Sequence, residues 1–175
     1  MLIGHSLGGI VVTAAAPFVE AVAVVNVDQP LALGDMVATV KSLADDLRSP
    51  ERFHATLAAL FSALASPGLD PEIQAALDLR VAGAEQDVVL GVWGPMIDGT
   101  TDDVAAQVDA VLAGVTMPYL ALHGIDPGPD YGDWLRNRVP RAEYEFHDGE
   151  GHFLHLVDPG AFVSRVQRFL VQSGS

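Results

Sequence analysis

The sequence predicts an α/β domain, a parallel doubly wound sheet with helices between its strands, and three observations carry that prediction. Residues 21–28 and 116–124 are apolar, β-branched runs with the continuous hydrophobicity of strands buried on both faces. Helical periodicity fills residues 102–112 and 159–171, so strands and helices alternate. A glycine-rich turn, Gly4-His5-Ser6-Leu7-Gly8-Gly9, joins an apolar strand end to an apolar helix.

In chain order, Met1-Leu2-Ile3 reads as the end of a buried strand, and residues 9–16 as a packed helix closed by Pro17. Residues 21–28 form the next strand. The third is residues 116–124, with Pro118 at its entry, where a missing N–H matters least. Residues 142–147 alternate in polarity and suit a more exposed fourth strand. Residues 102–112 repeat Val104, Val108, Val111 and Leu112 at helical spacing, with Thr101 or Asp102 as cap. A short helix follows at 130–139, and residues 159–171 place Phe162, Val166, Phe169 and Leu170 on one face.

Residues 30–100 break this rhythm. They hold apolar helical stretches at 31–47, 51–64 and 71–81, punctuated by Ser49-Pro50 and Ser66-Pro67-Gly68, and a strand at most at 88–92. So patterned an insertion is no linker. The expected division is a core of residues 1–29 and 101–175 and a helical lid or cap of residues 30–100. An outer helical layer without a gating role is the alternative.

Composition narrows the function. At 175 residues, half of them hydrophobic, the chain has the length of one domain and enough apolar surface for a core. Nine basic against 23 acidic residues give a net charge of −14, which repels nucleic acid and anionic membrane surfaces. The absence of cysteine removes disulfides, thiol nucleophiles and thiolate metal sites. No basic segment precedes an apolar core at the start, and apolar runs fall short of the ~20 residues that span a bilayer. The expectation is a soluble cytoplasmic protein without cofactor, acting on a small molecule.

Gly4-His5-Ser6-Leu7-Gly8 fits G-x-S-x-G, the nucleophile elbow, which holds a serine on a sharp strand-to-helix turn. Glycines at the flanking positions are expected to avoid clashes between strand and helix. A capping serine in a glycine-rich turn is the competing account. Serine catalysis requires a base and an acid that orients it, in the elbow order Ser, Asp/Glu, His. Asp126 follows the strand at 116–124, and His152 lies in the glycine-flanked loop Gly149-Glu150-Gly151-His152 after the strand at 142–147. Both loops belong at the sheet edge that carries Ser6.

These motifs together resemble the lidded, lipase- and esterase-like α/β-hydrolase fold superfamily, without its amino-terminal strands. Gly4-His5-Ser6-Leu7-Gly8-Gly9 resembles its elbow and His123-Gly124-Ile125-Asp126 its acid loop. Gly151-His152-Phe153-Leu154-His155, with Asp158-Pro159 and Phe162, resembles its histidine loop and last helix. The resemblance implies a partial α/β-hydrolase fold: the elbow strand and the three after it as a contiguous four-stranded parallel sheet, with a helical lid insertion. It implies a triad of Ser6, Asp126 and His152, with the N–H of Leu7 as oxyanion donor and His5 lining the site.

Rivals remain for each role. Asp28 ends the strand at 21–28, where some members of the superfamily place the acid, and is otherwise a turn carboxylate. Asp130 shares the loop of Asp126 and is more simply the N-cap of the next helix. His155, with His147, Asp148 and Glu150, makes a metal cluster conceivable, but no H-E-x-x-H spacing supports one. His54 and His123 have no evident partner, and Trp93, Trp134 and Met96 suit packing. The function expected is hydrolysis of a small ester, amide or lactone. The alternative is a non-catalytic remnant or interaction module, because elbow enzymes take a second oxyanion donor from the loop after the family's third strand. An uncovered amino-terminal edge also predicts a possible homodimer.

Overall fold

The computed structural model describes residues 1–174. Its element order is β1 (Leu2–His5), α1 (Leu7–Ala15), a 3₁₀ turn (Ala16–Phe18), β2 (Val24–Val27), α2 (Gly34–Ser42), α3 (Ala44–Arg48), α4 (Phe53–Ala63), α5 (Pro71–Ala82) and α6 (Gln86–Asp98). Then come α7 (Thr101–Leu112), β3 (Tyr119–His123), α8 (Tyr131–Arg138), β4 (Ala142–Phe146), α9 (Leu154–Val157) and α10 (Pro159–Ser173). The four strands form one parallel sheet in the order β1-β2-β3-β4. That is the contiguous half-sheet expected.

The strand period of two sorts the central residues onto two faces. Val24, Tyr119 and Ala121 face a core completed by Leu112, Tyr131 and Leu135. Val25, Val27, Leu120 and Leu122 face the other way, onto Leu154, Val166 and Phe169. Residues at both faces of β2 and β3 are fully buried, which is why those two runs read as continuous apolar segments.

The chain divides into two compact units. One comprises Met1–Leu31, Ser66–Gly68 and Val108–Ser175; the other comprises Ala32–Ala65 and Leu69–Gln107. The second is helical and built on Val40, Leu47, Phe53, Leu57 and Ile97. Residues 88–92, the one candidate strand there, lie inside α6. Val89, Trp93 and Ile97 recur at four-residue spacing and pack on that apolar cluster, so burial along one helical face outweighs the β preference of the valines.

Two capping assignments also change. The cap of α7 is Thr100: its Oγ1 accepts from the Asp103 N–H at 3.0 Å, and Asp103 Oδ2 accepts from the Thr100 N–H at 3.2 Å, a reciprocal capping box. Asp130 precedes α8 without a capping bond from its side chain.

Candidate active site

The strand-to-helix turn after β1 has the geometry of an elbow. Ser6 has φ 53° and ψ −132°, a conformation in which few non-glycine residues are found, and strain of this kind clusters at functional sites. Its N–H donates to Val27 O at 2.9 Å, and its carbonyl accepts from the Gly9 N–H at 2.7 Å. The Ser6 side chain makes no capping bond to α1, so the turn holds a serine whose hydroxyl the helix does not use.

The glycines act differently from expectation. A Cβ on Gly4 would overlap the Gly8 carbonyl, and one on Gly9 would overlap the side chains of Asn26 and Gln29, whereas Gly8 faces open space. Crowding therefore fixes the first and third glycines of the motif and leaves the second unconstrained. Beneath them lies a buried polar knot. Asn26 Nδ2 donates to Gln29 O at 2.8 Å and to the Tyr119 hydroxyl at 3.1 Å, and that hydroxyl lies 2.8 Å from Thr13 Oγ1. The Asn26 bond folds the chain back on itself directly after β2.

That fold-back presents Asp28, which has φ 52° and is 2% exposed. Its Oδ2 accepts from His152 Nδ1 at 2.6 Å, and its Oδ1 accepts from the N–H groups of Gly124 and Ile125 at 2.7 and 3.0 Å. The carboxylate thus has three donors. Because a carboxylate of this kind only accepts, the His152 proton sits on Nδ1, and its Nε2 is left buried and without a partner.

The carboxylate that meets His152 is thus Asp28 and not Asp126, the residue expected from the sequence. Asp126 Oδ1 accepts instead from the Gly128 N–H at 2.8 Å, a local turn bond on the surface. Its loop serves the pair by another route: residues 124 and 125 supply backbone donors, and Gly124 comes so close to Gly151 that a Cβ would overlap its carbonyl. The Gly151 N–H donates to Gly124 O at 3.2 Å, which brings the histidine loop to the carboxylate.

His5 and Leu7 flank Ser6 in the chain, Leu7 expected as oxyanion donor and His5 as a residue lining the site. Leu7 is the first residue of α1, where backbone N–H groups have no intrahelical acceptor. His5 lies against the histidine loop. Its Nε2 donates to the carbonyl of His152 at 2.8 Å, and its ring lies 4.5 Å from the rings of both His152 and His155. Burial, helped by the neighbouring His152, pulls the His5 ring down to about 4. On the far side of the same peptide bond, the Phe153 N–H donates to Ser66 Oγ at 2.7 Å.

The remaining histidines divide. His155 packs between the rings of His5 and Phe162, and burial lowers its affinity for a proton. His123 is fully buried among Tyr131 and Tyr144, 3.9 Å from Asp28 Oδ1, and burial pulls it down to about 4. His147 sits between Glu145 and Glu150 at 3.6 and 3.5 Å. His54 lies against the ring of Phe53. Among the described residues no group of three or more His, Cys, Asp or Glu side chains is placed to hold a metal ion. No helix among them is long and apolar enough to cross a membrane.

A parallel sheet entered through an elbow serine, with a buried Asp–His pair at the ends of its strands, defines an α/β-hydrolase-fold protein. The chain belongs to the alpha/beta hydrolase family, whose model matches residues 1–165. Among solved structures it is similar to an esterase from Exiguobacterium antarcticum, with TM-score 0.68 and 14% identity over 96% of this chain and 65% of that one. It is also similar to an N-acyl homoserine lactone degrading enzyme (TM-score 0.64, 17% identity, 95% and 66% covered). The epoxide hydrolase CorEH matches at TM-score 0.65 and 18% identity, with 97% and 67% covered. Comparison with curated proteins gives no match. The chain thus spans about two thirds of the length of these structures, and at such identities the likeness concerns the fold.

Proposed function

We propose that the protein is a serine hydrolase acting on a small ester, amide or lactone through Ser6, His152 and Asp28. The observation that carries this reading is the 2.6 Å bond from His152 Nδ1 to Asp28, which leaves the buried Nε2 without a partner in a ring 4.5 Å from that of His5 on the elbow strand. In the proposed reaction the Ser6 hydroxyl adds to the substrate carbonyl carbon as its proton passes to His152 Nε2. The oxyanion accepts from the Leu7 N–H. Collapse expels the alcohol or amine, which takes the proton back from His152, and water then cleaves the acyl-serine by the same relay. Asp28 holds the imidazole in the tautomer the first step needs and stabilises its charged form.

The insertion leaves the sheet soon after Asp28 and returns before β3, and on that connectivity we assign residues 30–100 the role of a lid. The test of the chemistry is a fluorophosphonate probe: it should label the protein, but not Ser6→Ala or His152→Ala. Labelling that survives in Ser6→Ala overturns the assignment.

A second reading rests on the two-thirds span. The four strands are the elbow strand and those after it, whereas elbow enzymes draw a second oxyanion donor from a loop after the third strand of the whole fold. In such enzymes the loss of one oxyanion donor costs on the order of 10²–10³ in rate. A protein that is never labelled, yet folds cooperatively, would favour a non-catalytic member of the family.

A further inference from the structure

We propose that the peptide unit joining His152 to Phe153 is a two-sided clamp that sets the position of the His152 ring, with His5 and Ser66 as its positioning residues. The inference rests on the reading of His152 as the base. A peptide unit is a rigid plane, so holding its C=O and its N–H separately fixes the orientation of the whole plane. Here the two holds come from different parts of the chain. His5 Nε2 donates to the carbonyl at 2.8 Å, and Ser66 Oγ accepts from the N–H at 2.7 Å.

The loop needs such a hold. Gly149 and Gly151 have φ of 81° and 66°, so the approach to His152 is built from residues with few conformational restraints of their own. From that side the Gly151 N–H bond to Gly124 O, at 3.2 Å, ties the loop to the one after β3. The clamp acts from the other side, immediately after the ring.

Each half is suited to its task. His5 is the last residue of β1, next to Ser6, so the strand that carries the serine also holds the histidine loop. A carbonyl only accepts, so the proton of the neutral His5 ring is held on Nε2. Ser66 is 6% exposed and lies in the three-residue segment Ser66–Gly68, which packs with the sheet while residues on both sides of it belong to the helical unit. The inserted chain leaves its own helices for three residues and delivers one hydroxyl to this peptide.

The experiment combines a readout of the clamp with a readout of the chemistry. In Ser66→Ala the Phe153 amide should exchange with solvent about tenfold faster, and the proton resonance of His152 Nδ1 should shift and broaden. Ser66→Thr, which keeps the hydroxyl, should restore both. His5→Phe, which keeps a ring but not the donor, should disturb the same His152 resonance from the opposite group, and it serves also if Ser66→Ala fails to fold. Fluorophosphonate labelling in both variants should slow ~10- to 100-fold, as a displacement of about 1 Å can cost. An undisturbed His152 resonance in folded Ser66→Ala and His5→Phe overturns the clamp, whether or not the protein reacts. Resonance changes in the two variants, together with a wild-type protein that never labels, overturn the hydrolase reading and leave the clamp standing.

Discussion

Asp28 and His152, 124 residues apart in sequence, meet at 2.6 Å through Oδ2 and Nδ1. Three elements converge on that contact: the turn after β2 supplies the carboxylate, the loop after β3 its two backbone donors, and the loop after β4 the imidazole. The carboxylate cannot be moved to a neighbouring loop without unmaking all three.

Asp28→Asn should therefore lower the labelling rate by on the order of 10⁴, because an amide donates as well as accepts and favours the wrong imidazole tautomer. Asp126→Asn should stay within about threefold of wild type, since its carboxylate only caps a surface turn. Labelling kinetics of the two variants decide it, and the opposite ranking would return the acid to residue 126.

The elbow glycines should respond unequally. Gly4→Ala forces a Cβ into the Gly8 carbonyl and should cost several kcal/mol or prevent folding. Gly8→Ala meets nothing and replaces a helical glycine, so it should be neutral or stabilise by up to ~1 kcal/mol. Urea unfolding of both variants tests this, and equal losses would contradict the structure.

Stability should fall as the medium is acidified. His123 has its proton affinity pulled from the ordinary 6.5 to about 4 by burial, so below pH 6.5 the unfolded chain binds that proton first. The stabilisation is complete above pH 6.5 and is lost as pH falls toward 4, amounting to about 2–3 kcal/mol by pH 4.5. His5 adds a loss of the same sign. In His123→Leu, urea unfolding at pH 7.5 and 4.5 should give a smaller difference than in wild type. An unchanged difference would mean that His123 is not the group responsible.

The amino-terminal edge should associate. Among the described residues β1 pairs with β2 alone, and Ile3, Val11, Phe18 and Val22 are exposed, Phe18 at 88%. We propose a homodimer through this edge, because unpaired strand edges and apolar patches seek cover. The net charge of −14 opposes it, but physiological salt screens charges beyond ~8 Å. Sedimentation at micromolar concentration should show a dimer that Phe18→Glu weakens; a monomer in wild type refutes it.

Much of this site could be read from local pattern. The elbow announces itself in six consecutive residues, and His152 by its glycine-flanked loop. The strands were legible because both faces of β2 and β3 are buried. The carboxylate that meets His152 was not, because Asp28 and Asp126 each follow an apolar strand and local pattern treats them alike. What separates them is the reach of His152 and the fold-back made by Asn26, a buried amide inside an otherwise apolar run. That polar intrusion was the available signal. The roles of His5 and Ser66 depend on contacts with a peptide 147 and 87 residues away, and no spacing rule anticipates them.

The backbone at Asp28 has a consequence for how this protein can drift. At φ 52° most side chains are disfavoured, and aspartate, asparagine and glycine are the residues that tolerate the position. Of these only aspartate carries charge, so residue 28 is selected twice, once by conformation and once by chemistry. Its easiest replacement, asparagine, is one nucleotide away and satisfies the first criterion while failing the second. On the role proposed for Asp28, a lineage could thus lose the reaction in a single step and keep its architecture, and the identity of residue 28 would mark which related chains still react.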